Sequence, residues 1–136
     1  MKDPTNSSLS AKIVAAAFIT SGVLHFTHTR FFLKIVPPYL PWHQELVYVS
    51  GVAEMAGGLG VLIPRFRRPA GWGLIALLIA VFPANVHNAL HPEQTSGDAV
   101  PPALLWARLP LQALLIAWVW QATLGSGRRT ARLLRR

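Results

Sequence analysis

The chain has 136 residues, 52% hydrophobic and only 13% charged, with a net charge of +8 and no cysteine. Soluble domains carry about 25% charged residues, so a chain this short and apolar has no room for a soluble domain beside a membrane part and reads as a single domain. Without cysteine, disulfide exchange, thiolate metal sites and iron–sulfur ligation are excluded within the chain, and a redox role needs a bound cofactor or a partner.

In chain order, residues 1–9 form a polar tail, and the first apolar span covers about 10–28. Its Ala15-Ala16-Ala17 lies inside the run, with no small-residue cleavage site followed by a polar stretch, so the span reads as a retained helix and not a signal peptide. The connector from Arg30 to Trp42 mixes aromatics and cations with Pro37, Pro38 and Pro41, which rule out one continuous helix across it. Its aromatics suit a membrane–water interface. The second span covers 44–63 and the third 70–90, joined by the basic turn Pro64-Arg65-Phe66-Arg67-Arg68-Pro69. A polar loop with Glu93 and Asp98 leads to the fourth span, 103–124, and residues 125–136 are a basic tail.

The expected fold is all-α: an antiparallel bundle of four transmembrane helices within residues 10–124. The N-terminus, the turn at Arg65 and the tail then share one side, leaving only Arg30, Lys34 and Arg108 of the 13 Lys and Arg on the other. The positive-inside rule puts both termini in the cytoplasm. A charge of +8 also suits nucleic acid, but these cations cluster at the ends of apolar runs, and no nucleic-acid partner is expected. The arginine tail should lie on an anionic leaflet as an orientation anchor.

Glu54 lies inside the second apolar run, Leu46 to Ile63, which is long enough to cross a bilayer. A carboxylate at that depth costs several kcal/mol and should face protein or water and have a partner. Gly51, Glu54 and Gly58 share a helical face, so the carboxylate shares the seam where small residues let helices approach. Ser50 lies one turn before it. Ser21, His25 and His28 share a face of the first span, Asn85 and Asn88 are a turn apart on the third beside His87, and Arg108 and Gln112 are a turn apart on the fourth. His25, Asn85 and Arg108 fall in the outer half, and together with Glu54 and Gln112 they fit one outward-opening polar pocket. Pro83 and Pro110 free the carbonyls of Ile79 and Trp106 from their helix donors, which suits the lining of a wet or protein-buried site.

Each feature also has a plainer reading. A Glu54–Arg108 or Glu54–His25 pair fixes helix arrangement without doing chemistry. His25 and His28 are a weak metal-ligand pair, to which Glu54 or His87 would have to be added. His28, His43, His87 and His91 lie near the outer interface, where a histidine needs no special role. Gly57-Gly58-Leu59-Gly60 lacks a preceding strand and reads as close helix packing, not phosphate binding.

The order His25-Phe26, Phe31-Phe32, then Ile35-Val36-Pro37-Pro38-Tyr39-Leu40-Pro41 resembles the DoxX-like family of small bacterial membrane proteins. So do Ser50-Gly51-Val52-Ala53-Glu54 with Gly57-Gly58, Val81-Phe82-Pro83-Ala84-Asn85, and Arg108-Leu109-Pro110-Leu111-Gln112. The resemblance extends from about Ser21 to Trp120 and implies a four-helix membrane bundle. It implies less about activity: the family takes its name from a membrane subunit associated with thiosulfate:quinone oxidoreductase, while related eukaryotic four-helix proteins look like assembly chaperones and cargo receptors.

Three functions follow as expectations. In the first, the polar pocket binds a small ligand, with a quinone as the candidate: Glu54 exchanges protons, His25 or Arg108 sets its charge state, Asn85 and Gln112 bond a carbonyl or headgroup, and the electron carrier sits on a membrane or redox partner protein. Ser21, Ser50 and Asn88 support the pocket. In the second, the chain is a non-enzymatic scaffold or chaperone. In the third, it is a small transporter or metal-handling protein using His25, His28 and Glu54, although no inverted repeat is evident. Nothing in the sequence assigns a cofactor, an oligomeric state or enzyme status.

Overall fold

The computed structural model describes residues 4–95 and 100–125. Lys2, Asp98 and the basic tail from residue 126 onward lie outside them, and with them much of the charge asymmetry. The described residues form five α-helices and no strand: α1 Pro4–Thr27, α2 Thr29–Lys34, α3 His43–Leu62, α4 Arg67–Leu90 and α5 Pro102–Thr123, with one turn of 3-10 helix at Pro92–Gln94. This is an all-helical bundle of four long helices with one short extra helix in the connector.

Helix ends follow local chemistry. Pro4 and Pro102 open their helices, where a missing N–H costs nothing. Pro69 sits in the first turn of α4, so that helix starts at Arg67, ahead of the expected residue 70. At the end of α1, Thr29 Oγ1 donates to the carbonyls of His25 at 2.8 Å and Phe26 at 3.0 Å, taking up acceptors a helix end leaves over. The connector turns at Pro37, whose carbonyl accepts from Leu40 N at 3.1 Å. It enters α3 through Trp42, a left-handed residue at φ 52°, ψ 54°. α3 ends where Ile63 becomes extended before Pro64, and Arg67 Nε donates to Val61 O at 3.0 Å.

The long helices form a ring in which α1 packs on α3, α3 on α4, α4 on α5 and α5 back on α1. The α1–α3 seam is the tightest. A Cβ built on Gly51 would lie 2.8 Å from His25 Cβ and 3.0 Å from Gly22 O, and one on Gly58 would lie 2.9 Å from Ala15 O. Gly71 of α4 faces Thr123 of α5, and Trp118 Nε1 closes the ring by donating to Ser10 Oγ at 3.0 Å.

The interior is divided along the bundle axis. The half nearest the turn between α3 and α4 is apolar, built from Val14, Phe18, Val61, Leu74, Leu78 and Val119 with their neighbours. The half nearest the connector holds the buried polar side chains His25, Asn88 and Gln112. Outward faces are apolar as well, as at Val49, Leu59, Ile79 and Leu114. All four long helices are long and apolar enough to cross a membrane.

Two glycine substitutions test the seam. Gly51→Leu should overpack α1 against α3 and cost about 1–3 kcal/mol, seen as a lower melting temperature in detergent. Gly73→Ala, with nothing within 4 Å of the added methyl, should be neutral or stabilising by up to about 1 kcal/mol. Equal behaviour of the two variants would refute the close seam.

Candidate functional site

The glycine seam sets the geometry of the first polar cluster. Because α1 and α3 touch at Gly22 and Gly51, His25 and Glu54 face each other across it, with His25 Nδ1 3.5 Å from Glu54 Oε2. Their side chains are 10% and 16% exposed, so the pair is largely shielded. His25 Nδ1 also lies 2.7 Å from the carbonyl oxygen of Ser21, one turn earlier. That oxygen only accepts, so Nδ1 carries the hydrogen. Among the described residues, Glu54 Oε2 is buried without a hydrogen bond.

The connector covers this cluster. Phe32 of α2 stacks on the His25 ring with centroids 3.9 Å apart, and Phe26 stacks on Tyr48 at 5.1 Å beside it. Asn88 of α4, 1% exposed, holds the connector by donating from Nδ2 to Ile35 O at 2.9 Å. Its Oδ1 is buried without a partner among the described residues. Next to it, His87 packs edge-on against Tyr39 at 5.0 Å.

A second polar cluster joins α4 and α5. Asn85 Nδ2 donates to Gln112 Oε1 at 2.6 Å, and Gln112 Nε2 donates to the carbonyl of Leu78. That carbonyl belongs to the residue before Ile79, within the stretch of α4 weakened by Pro83. No hydrogen bond or ion pair among the described residues links the two clusters.

The structure therefore brings Ser21, His25 and Glu54 together on one side of the ring, and Asn85 and Gln112 on the other. Asn88 serves the connector. Arg108 is half-buried and pairs with no carboxylate among the described residues, so the side chain facing Glu54 is that of His25. Ser50 makes no side-chain hydrogen bond among the described residues. His28 is exposed, lies at the break between α1 and α2, and contacts Thr27 Oγ1 at 2.8 Å, away from the partners of His25. No group of three or more His, Asp or Glu side chains among the described residues is placed to hold a metal. The surface concavities of the described residues include an apolar groove at Tyr48, Val49, Val52 and Ala53, and a rim depression at Thr27 to Phe31. Neither is lined by His25 or Glu54.

Sequence reasoning missed three participants: Phe32 over His25, and the carbonyls of Ile35 and Leu78. The Phe31-Phe32 pair was a visible signal for the first. A backbone carbonyl carries no residue-type signal at all.

The chain belongs to the family described as a domain of unknown function (DUF8561), whose model matches residues 14–123 and so spans both polar clusters. No curated protein and no solved structure matches it.

Gln112→Leu should strand the Asn85 amide, lowering stability by about 1–3 kcal/mol, whereas Arg108→Leu should change it by less than about 0.5 kcal/mol. Thermal melting of the purified variants in detergent checks both, and a large loss for Arg108→Leu would mean that this side chain has a structural partner.

Proposed function

We propose that this chain is an integral membrane protein of the DoxX-like kind, its four long helices crossing a bacterial plasma membrane with both termini in the cytoplasm, and that Ser21, His25 and Glu54 form an intramembrane site for a small ligand. The observation that carries the site is Glu54 Oε2: a buried carboxylate oxygen 3.5 Å from a histidine, yet without a hydrogen bond among the described residues. Polar groups in such surroundings are costly when unsatisfied and mark sites for protons or ligands. The membrane reading is supported by four apolar spans, by apolar outward faces and by the cation asymmetry of the sequence.

A quinone is the candidate ligand, with the electron carrier on a redox partner protein. Both the quinone and the partner come from the family resemblance and not from the geometry. In this reading Glu54 exchanges the proton and His25 is its charged or hydrogen-bonding neighbour.

A second reading, a membrane scaffold or assembly chaperone, is favoured by one separate observation. Asn85 and Gln112, expected to hold a ligand carbonyl, bond each other and Leu78 O, which ties α4 to α5.

Mass spectrometry of organic extracts separates the two. Purified wild type should carry a stoichiometric small molecule that folded Glu54→Gln lacks. If neither sample carries one and Glu54→Gln only melts earlier, the scaffold reading takes its place. Independently, a reporter active only in the periplasm, fused after Arg136, should be silent, and activity there would reverse the topology.

A further inference from the structure

The end of α4 carries a pair of histidines that neither polar cluster uses. His87 and His91 are one helical turn apart, the spacing that sets two side chains on one face. The His91 amide donates to the His87 carbonyl at 2.8 Å, so the turn is closed up to His91. Their ring centroids are 5.0 Å apart, with the planes tilted by 43°. Two imidazoles that share one tetrahedral ion through bonds of about 2.0–2.1 Å place their ring centres about 5 Å apart. His87 Nε2 is buried and has no hydrogen-bond partner among the described residues, although Tyr39 packs edge-on against the same ring. A buried ring nitrogen without a partner calls for an occupant. His91 is exposed, and its Nδ1 lies 3.5 Å from Glu93 Oε1 in the turn that follows. A carboxylate beside one ring nitrogen orients the imidazole and leaves the other nitrogen to act as a ligand, the arrangement common around metal-bound histidines.

From this, we infer that His87 and His91 together bind a divalent transition-metal ion of the zinc or copper class, with Glu93 as the positioning residue for His91. Imidazole nitrogens suit zinc and copper, whereas magnesium and calcium take oxygen ligands, so the donor pair itself sets the class of ion. No third His, Asp or Glu among the described residues is placed to join them as a ligand, so water fills the remaining positions and the site is an open one. Bound there, the ion ties the start of the loop after α4 to the last turn of that helix. The site shares no residue with Ser21, His25 and Glu54, and it stands or falls independently of the ligand site proposed above.

Isothermal titration of the untagged full chain in detergent with zinc chloride, and separately with magnesium chloride, tests the inference. Zinc should bind stoichiometrically and magnesium should not. His91→Ala changes an exposed side chain and should abolish zinc binding, whereas His28→Ala should leave it intact. Glu93→Gln should weaken zinc about tenfold without changing the melting temperature of the metal-free protein. Electron paramagnetic resonance of the copper(II)-loaded chain should show a pair of imidazole nitrogens on the ion, and His91→Ala should lose that signature. Absence of zinc binding by wild type, or equal zinc binding by His91→Ala, overturns the inference. Magnesium binding as tightly as zinc overturns it as well, because the site would then be reading charge and not nitrogen ligation.

Discussion

Helices α1 and α3 meet with almost no side chain between them, at Gly22 against Gly51 and Ala15 against Gly58. Much else in the bundle depends on this contact. It brings His25 Cβ against the Gly51 backbone, and so places the imidazole opposite a carboxylate one turn further along α3. It also brings Phe26 over Tyr48 and lets the connector fold back so that Phe32 reaches the His25 ring. Where outward faces are apolar, close packing of small residues supplies association that burial of apolar surface alone does not. The site is therefore a by-product of a packing seam, and its geometry is only as firm as that seam.

The interior divides into an apolar half and a polar half, and the two do different work. Around Val14, Val61, Leu74 and Val119 the helices interdigitate through apolar side chains, with the Trp118–Ser10 bond beside them. Toward the connector, side-chain amides stitch α4 to α5 and to the connector itself. Gln112 stands at the boundary, reaching back to Leu78, a member of the apolar cluster. Amides bonded to one another and to backbone carbonyls hold the helices and the connector in place. The histidine–carboxylate pair, whose bonds are incomplete, is the part left with chemistry to offer.

Much of the architecture was legible in the sequence because it rests on run lengths and prolines. The four apolar runs and the break at Pro37, Pro38 and Pro41 could be read directly, whereas α2 was hidden because six residues with two adjacent phenylalanines carry no helical period. The Gly51-Glu54-Gly58 face pointed to the seam, and Ser21 with His25 to its partner face. What could not be read was azimuth. Whether Arg108 or His25 faces Glu54 depends on how each helix is rotated, and both choices satisfied the same spacing. For the same reason Asn85 and Gln112 read as ligand donors, although they meet each other first.

The bond from Asn88 to Ile35 joins residues 53 apart in sequence, and that from Trp118 to Ser10 joins residues 108 apart. A chain emerging from the ribosome meets these partners late. The α1–α3 hairpin can zip along its glycines as soon as it is made, with Phe32 of its connector on His25, but the Ile35 carbonyl has no Asn88 to accept from until the far end of α4 arrives, and the ring stays open until α5 is in place. The polar pair and the Phe32 that covers it thus lie within the first hairpin, while the bonds that fasten the connector and close the ring join residues made early to residues made late.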